Sequence, residues 1–342
     1  MSHSLDVEVP EVVRVFAAPR FGSRAATFAG LAALLVVALV VGVAAGASGW
    51  RFDLLTGLAA GDEILLTLRA PRVLLGALTG GGLALAGIAM QTVLRNDLAD
   101  PFILGMAGGA SAGAVASLAL WPALPPGLAS AVGATVATMI VDGLARGPFD
   151  PNRLVLGGVA VGSVLASVTG LVLTIAPSER LLRSATFWLF GGFGTPGYAS
   201  LAVPAVSLTV ALVLLCPRAE ALDRLLLGED VAASLGTDPR RLRATARITA
   251  IALTAVAVAS GGLIGFVGLI APHAARLIFG PRHRFIIPAA TLLGAILVVG
   301  ADTIARTSFA PIEIPVGLFT ALIGGPLFLL LVRRTGAWSR TP

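Results

Sequence analysis

Val73–Leu94 reads VLLGALTGGGLALAGIAMQTVL and holds no charged residue. Its length matches the ~20 apolar residues that cross a bilayer as a helix. Gly80-Gly81-Gly82 within it resembles a phosphate loop only superficially. A phosphate loop needs a strand-turn-helix setting and a Lys that reaches the nucleotide, and the chain has no Lys at all: its 24 basic residues are Arg. Glycine in an apolar helix instead lets a neighbouring backbone approach closely.

The rest of the chain repeats this pattern. Of its 342 residues 56% are hydrophobic and 12% are charged, against about a quarter charged in soluble domains. No soluble core of this size buries so much apolar surface, so lipid must solvate much of it. The fold class expected is all-α, a polytopic membrane protein with about ten transmembrane helices. The expected spans are Thr27–Ala47, Val73–Leu94, Phe102–Trp121, Leu128–Leu144, Leu154–Ala176, Ala199–Cys216, Ala244–Ser260, Leu263–Phe279, Phe285–Ile304 and Pro315–Val332. They form a permease domain over 27–333 between cytoplasmic tails at 1–26 and 334–342. With both termini inside, 18 Arg fall in inside segments and 6 in outside ones, the positive-inside asymmetry of a cytoplasmic membrane. The expected outside segment 177–198 contains an amphipathic piece, Leu181–Phe190, ended by Gly191-Gly192.

Several function classes lose support. The Arg residues lie in short loops between spans, not on one soluble face, which argues against nucleic acid. One Cys and three His at positions 3, 273 and 283 offer no metal-ligand spacing, so neither a bound metal nor another cofactor is expected. Asp142 and Asp302 are the acids that touch the spans. Each has an Arg four residues on, Arg146 and Arg306, a spacing that pairs them on one helix face. No candidate proton relay remains, so an ion-coupled secondary transporter of a small solute is the alternative reading rather than the leading one.

Energy must then enter from another protein. The inside loop 217–243 holds the densest charge, and within it Leu227-Gly228-Glu229-Asp230-Val231-Ala232-Ala233-Ser234-Leu235-Gly236 reads as a short helix bracketed by Gly228 and Gly236. Two acids in its first turn suit the helix dipole. Val231, Ala232 and Leu235 offer an apolar edge for another protein's groove.

Four blocks of residues together resemble a known family. They are Leu68–Arg72 with Gly82–Gly87, Gln91 and Arg95–Pro101; Leu227–Glu229 with Ala232, Leu235 and Gly236; Gly265–His273 with Arg276; and Ala301-Asp302 with Arg306, Glu313–Gly317 and Gly324–Pro326. In order and at matching places, they resemble the FecCD-type permeases of importers for iron chelates and cobalamin. The resemblance runs from about residue 50 to residue 333. One departure is Asp97, where the family usually has Pro. The resemblance implies the type II importer permease fold, with a second permease subunit, identical or paralogous, enclosing the pathway. It implies two ATP-binding subunits that carry the hydrolysis, so that this chain is not an enzyme. It also implies a periplasmic or lipid-anchored substrate-binding protein. By the same resemblance Gly228, Glu229, Ala232, Leu235 and Gly236 couple to the ATPase, Pro151-Asn152 form an inner gate, and Arg69, Arg72 and Arg306 dock the binding protein from the outer face.

Overall fold

The computed structural model describes residues 21–46, 49, 62–145, 147, 149–175 and 178–334. Positions 1–20 and 335–342 of the expected tails, with Arg51 and Arg146, lie outside the described residues. The described residues form helices and turns, without a strand.

Helix α1 spans Phe21–Ala44, so it starts before the expected span. A π-helical turn, Ile64–Arg69, leads directly into α2, Ala70–Leu94. There follow α3 (Met106–Leu120), α4 (Pro126–Leu144), α5 (Pro151–Ile175), α6 (Glu179–Phe190) and α7 (Ala202–Leu215). Two short helices, α8 (Ala219–Leu226) and α9 (Glu229–Ser234), precede α10 (Pro239–Gly261), α11 (Val267–Phe279), α12 (His283–Thr307) and α13 (Val316–Arg334). Among the described residues seven helical segments are long and apolar enough to cross a membrane, and α3, α11 and α13 are shorter apolar helices. Together they correspond to the ten expected spans.

Helix α2 is the axis of the bundle. From Pro71 to Leu94 nearly every residue is buried, and α10, α11 and α12 pack around it. Glycine makes that packing possible. A Cβ on Gly87 would lie 1.9 Å from the Gly268 carbonyl oxygen of α11, and one on Gly80 would lie 2.2 Å from that of Gly294 in α12. Helices α3, α4 and α5 form a second group, in which Gly109 of α3 meets the Gly133 backbone of α4.

Two of the boundaries that differ from expectation bear on the site. The second span does not begin at Val73: the helix runs unbroken from Ile64. Pro71 comes just after the π-helical turn, where the wider i→i+5 ladder accommodates a residue that has no N–H to donate. The eighth span begins at Val267 rather than Leu263. Its approach, 262–266, is a tight non-helical turn held from two sides: Leu263 N donates to Trp188 O (3.2 Å), and Gly192 N donates to Gly261 O (2.8 Å). Gly262 has φ +67° and Phe266, a non-glycine, φ +66°.

Candidate functional site

The end of the bundle that carries α8 and α9 gathers much of the described charge. Gly228 (φ +118°) and Gly236 (φ +77°) bracket α9, as their spacing suggests. Helix α9 is anchored at its first turn, where the Glu229 carboxylate pairs with Arg243 of α10 and lies 3.8 Å from Arg95. Arg95 is the left-handed cap of α2 (φ 48°), and Arg243 also stacks on Phe149, 3.8 Å from the ring centre. Ala232 is fully buried, while Val231 and Leu235 are 43% and 51% exposed. The helix is thus clamped on one face and offers an apolar edge on the other. The departing residue Asp97 is also at this end, 3.4 Å from Arg276, whose Nη2 donates to Gln91 Oε1 (2.6 Å).

Pro151 and Asn152 open α5 at its first turn, with the Asp150 carboxylate accepting from the Asn152 amide (2.9 Å). Asn152 is exposed. Asp142 pairs with Arg247 of α10, at 2.8 Å; its expected partner Arg146 lies outside the described residues.

The opposite end holds Arg69, Arg72 and Arg306, the residues expected to dock the binding protein. They sit on helices, facing inward, at 6%, 7% and 3% exposure. Arg72 pairs with Asp302 (3.0 Å) and Glu313 (2.8 Å), and Arg306 pairs with the same Asp302 (2.9 Å). The i,i+4 pair is present, but Asp302 serves two cations. Other donors reach the end of α1. The last carbonyls of a helix lack intrahelical partners. Arg69 Nη1 donates to Val43 O (3.2 Å) and Ala44 O (2.7 Å), while Arg306 donates to Gly42 O and Ala45 O, both at 3.1 Å. Gly46 leaves room for the Arg69 guanidinium, which a Cβ there would meet at 2.7 Å. The three Arg therefore hold α1, α2 and α12 together.

Sequence reasoning missed a cavity of about 420 Å³ between the start of α3, the 262–266 turn and α13. Phe102, Phe266 and Phe328 line it, with Asp100 among them. Asp100 accepts from the Phe102 amide at 2.9 Å and so caps the short 3₁₀ turn Pro101–Leu104. The Asp100-Pro101 dipeptide, a capping residue ahead of a Pro, was the available signal.

Comparison with known proteins accounts for this arrangement. The hemin transport system permease protein HmuU of Yersinia pestis is 37% identical over 318 residues, covering 89% of this chain and 95% of that protein. The iron(III) dicitrate transport system permease protein FecD of Escherichia coli is 39% identical, covering 83% and 90%. The cobalamin import system permease protein BtuC of Halobacterium salinarum is 39% identical, covering 79% and 73%. A solved structure described as a metal-chelate type ABC transporter in an inward-facing conformation superposes with a TM-score of 0.79 at 29% identity, covering 91% of this chain and 99% of that one. With its helices in this order and residues 25–334 matching the family as a whole, the chain belongs to the FecCD transport family.

Proposed function

We propose that this chain is the membrane-spanning permease subunit of an ATP-binding-cassette importer, and that its cargo is a preformed metal chelate: ferric siderophore foremost, then haem or cobalamin. The observation that carries the reading is α9. It is a clamped helix with an exposed apolar edge, at the end of the bundle where Arg is densest, and it needs a protein groove to cover it. The chemistry of ATP hydrolysis then belongs to two copies of a separate subunit. A second permease, identical or paralogous, would complete the pathway, and Pro151-Asn152 would gate its inner mouth. The apolar cavity beside Phe266 supports cargo handled as an object, without exchange of metal ligands. Docking of the binding protein is assigned to the end held by Arg69, Arg72 and Arg306. A docking carboxylate there must compete with Asp302 and Glu313 for Arg72.

Replacing Leu235 with Asp puts a charge into the ATPase groove, where an unpaired charge is costly. Co-purification with the ATP-binding subunit should fall roughly tenfold, about 1.4 kcal/mol, while the permease still inserts. Normal assembly and uptake in the variant would remove α9 from the coupling role. Uptake of labelled ferric siderophore, haem and cobalamin by cells lacking this chain identifies the cargo.

The assigned orientation places both termini in the cytoplasm and residues 177–198 outside, in a cytoplasmic membrane. In a Cys216→Ala background, single Cys residues at Ser2, Ser178 and Ser339 test it. An impermeant thiol reagent should label only position 178 in intact cells or spheroplasts. Labelling at 339 would contradict the orientation.

A further inference from the structure

His283 is 1% exposed, yet both ring nitrogens have polar partners. Nδ1 lies 2.6 Å from Asp223 Oδ1, which also accepts the His283 backbone amide at 3.0 Å. Nε2 lies 2.9 Å from Thr92 Oγ1, and that hydroxyl is 2.8 Å from the Ile88 carbonyl oxygen. The carboxylate oxygen accepts, so Nδ1 carries a proton. The result is a polar chain through three elements, buried at His283 and Thr92 and half-buried at Asp223: Asp223 on α8, His283 at the first turn of α12, and Thr92 in the last turn of α2.

Its position gives it more to do than satisfy a buried imidazole. Helix α8 is separated from α9 only by Leu227 and Gly228. Its inner face, Ala219, Leu222 and Leu225, rests on the apolar core. Apolar contact is non-directional and allows a short helix to slide or pivot. Hydrogen bonds are directional and lose strength steeply when bent. The polar chain therefore fixes the register of α8 against α12 and the central helix α2. It stands between the segment assigned to the ATPase and the two long helices that meet at the Arg cluster of the far end.

We infer that Asp223, His283 and Thr92 are positioning residues for transport, transmitting movement of α8–α9 to α2 and α12. The inference rests on the assignment of α9 to ATPase coupling. The test uses the full complex in proteoliposomes with its binding protein. Haemin, ferric citrate or cobalamin, whichever the wild-type complex carries, is counted per ATP hydrolysed. His283→Ala, Asp223→Ala and Thr92→Val should each lower that ratio at least tenfold, while co-purification with the ATPase stays at the wild-type level. Thr92→Ser keeps the hydroxyl and Asp223→Asn keeps an acceptor, and both should restore most of the ratio. A ratio unchanged in Thr92→Val and His283→Ala, or losses confined to the amount of folded protein, would overturn the inference. Leu235→Asp runs in parallel. If it assembles normally, the α9 assignment fails and takes this inference with it. If it fails to assemble while His283→Ala transports normally, only the polar link is wrong.

Discussion

Asp302→Ala should lower the stability of the folded permease by about 3–5 kcal/mol, the cost of removing one partner from a buried ion pair. The carboxylate is 3% exposed and stands between two guanidinium groups, Arg72 at 3.0 Å and Arg306 at 2.9 Å. Without it both cations stay buried, Arg72 with Glu313 and the Gly194 carbonyl, Arg306 with carbonyls of α1 and α12. Two like charges then face one another at low dielectric with less than full compensation. Thermal or denaturant unfolding in mixed micelles measures the loss. Glu179→Ala is the control, because its pair with Arg183 is exposed on both sides and such pairs contribute little. Equal midpoints for the two variants would show that the cluster does not hold α2 and α12 together.

Gly87→Ala should be nearly as damaging, although it adds a single methyl. The new Cβ would lie 1.9 Å from the Gly268 oxygen and 2.6 Å from its carbonyl carbon. Both are backbone atoms, which no rotamer change can move aside. The α2 and α11 axes must separate, and the cost of forcing an atom into a packed core is typically 1–3 kcal/mol and occasionally more. Gly300 on α12 has nothing within 4 Å of its built Cβ, so Gly300→Ala should be neutral or slightly stabilising through helix propensity. The prediction fails if the two variants unfold together. A glycine tolerant of Ala at 87 would mean that the α2–α11 contact is looser than described.

What was legible in the sequence was what depends on near neighbours. Apolar length located the spans, since it needs no partner to be read. The two glycines around α9 bracketed a helix because a positive φ is a local demand. Apolar length alone misplaced one boundary. The π-helical turn carries the chain from Ile64 into α2, so Arg69 and Arg72, which a span starting at Val73 leaves outside it, stand on a helix. The pairings that build the site are long-range. Asp142 and Arg247 are 105 residues apart, His283 and Thr92 are 191 apart, and Arg72 and Asp302 are 230 apart. No periodicity in a single sequence reveals which acid such an Arg will meet. The Asp100 cavity was hidden likewise, because its walls come from α3, the 262–266 turn and α13.

The Arg donors at the end of α1 also set an order in time. A ribosome delivers α1 before α2 and α12, but its closing turn is finished by side chains made later. Arg69 arrives with the next helix, whereas Arg306 bonds Gly42 across 264 residues. Until α12 is in place, the Gly42 and Ala45 oxygens must be served by water or lipid headgroups. Helix α1, made before the helices that pack on it, is thus among the last to be sealed. A chain truncated before α12 would keep that end open, leaving an unfinished permease that a membrane protease can tell from a complete one.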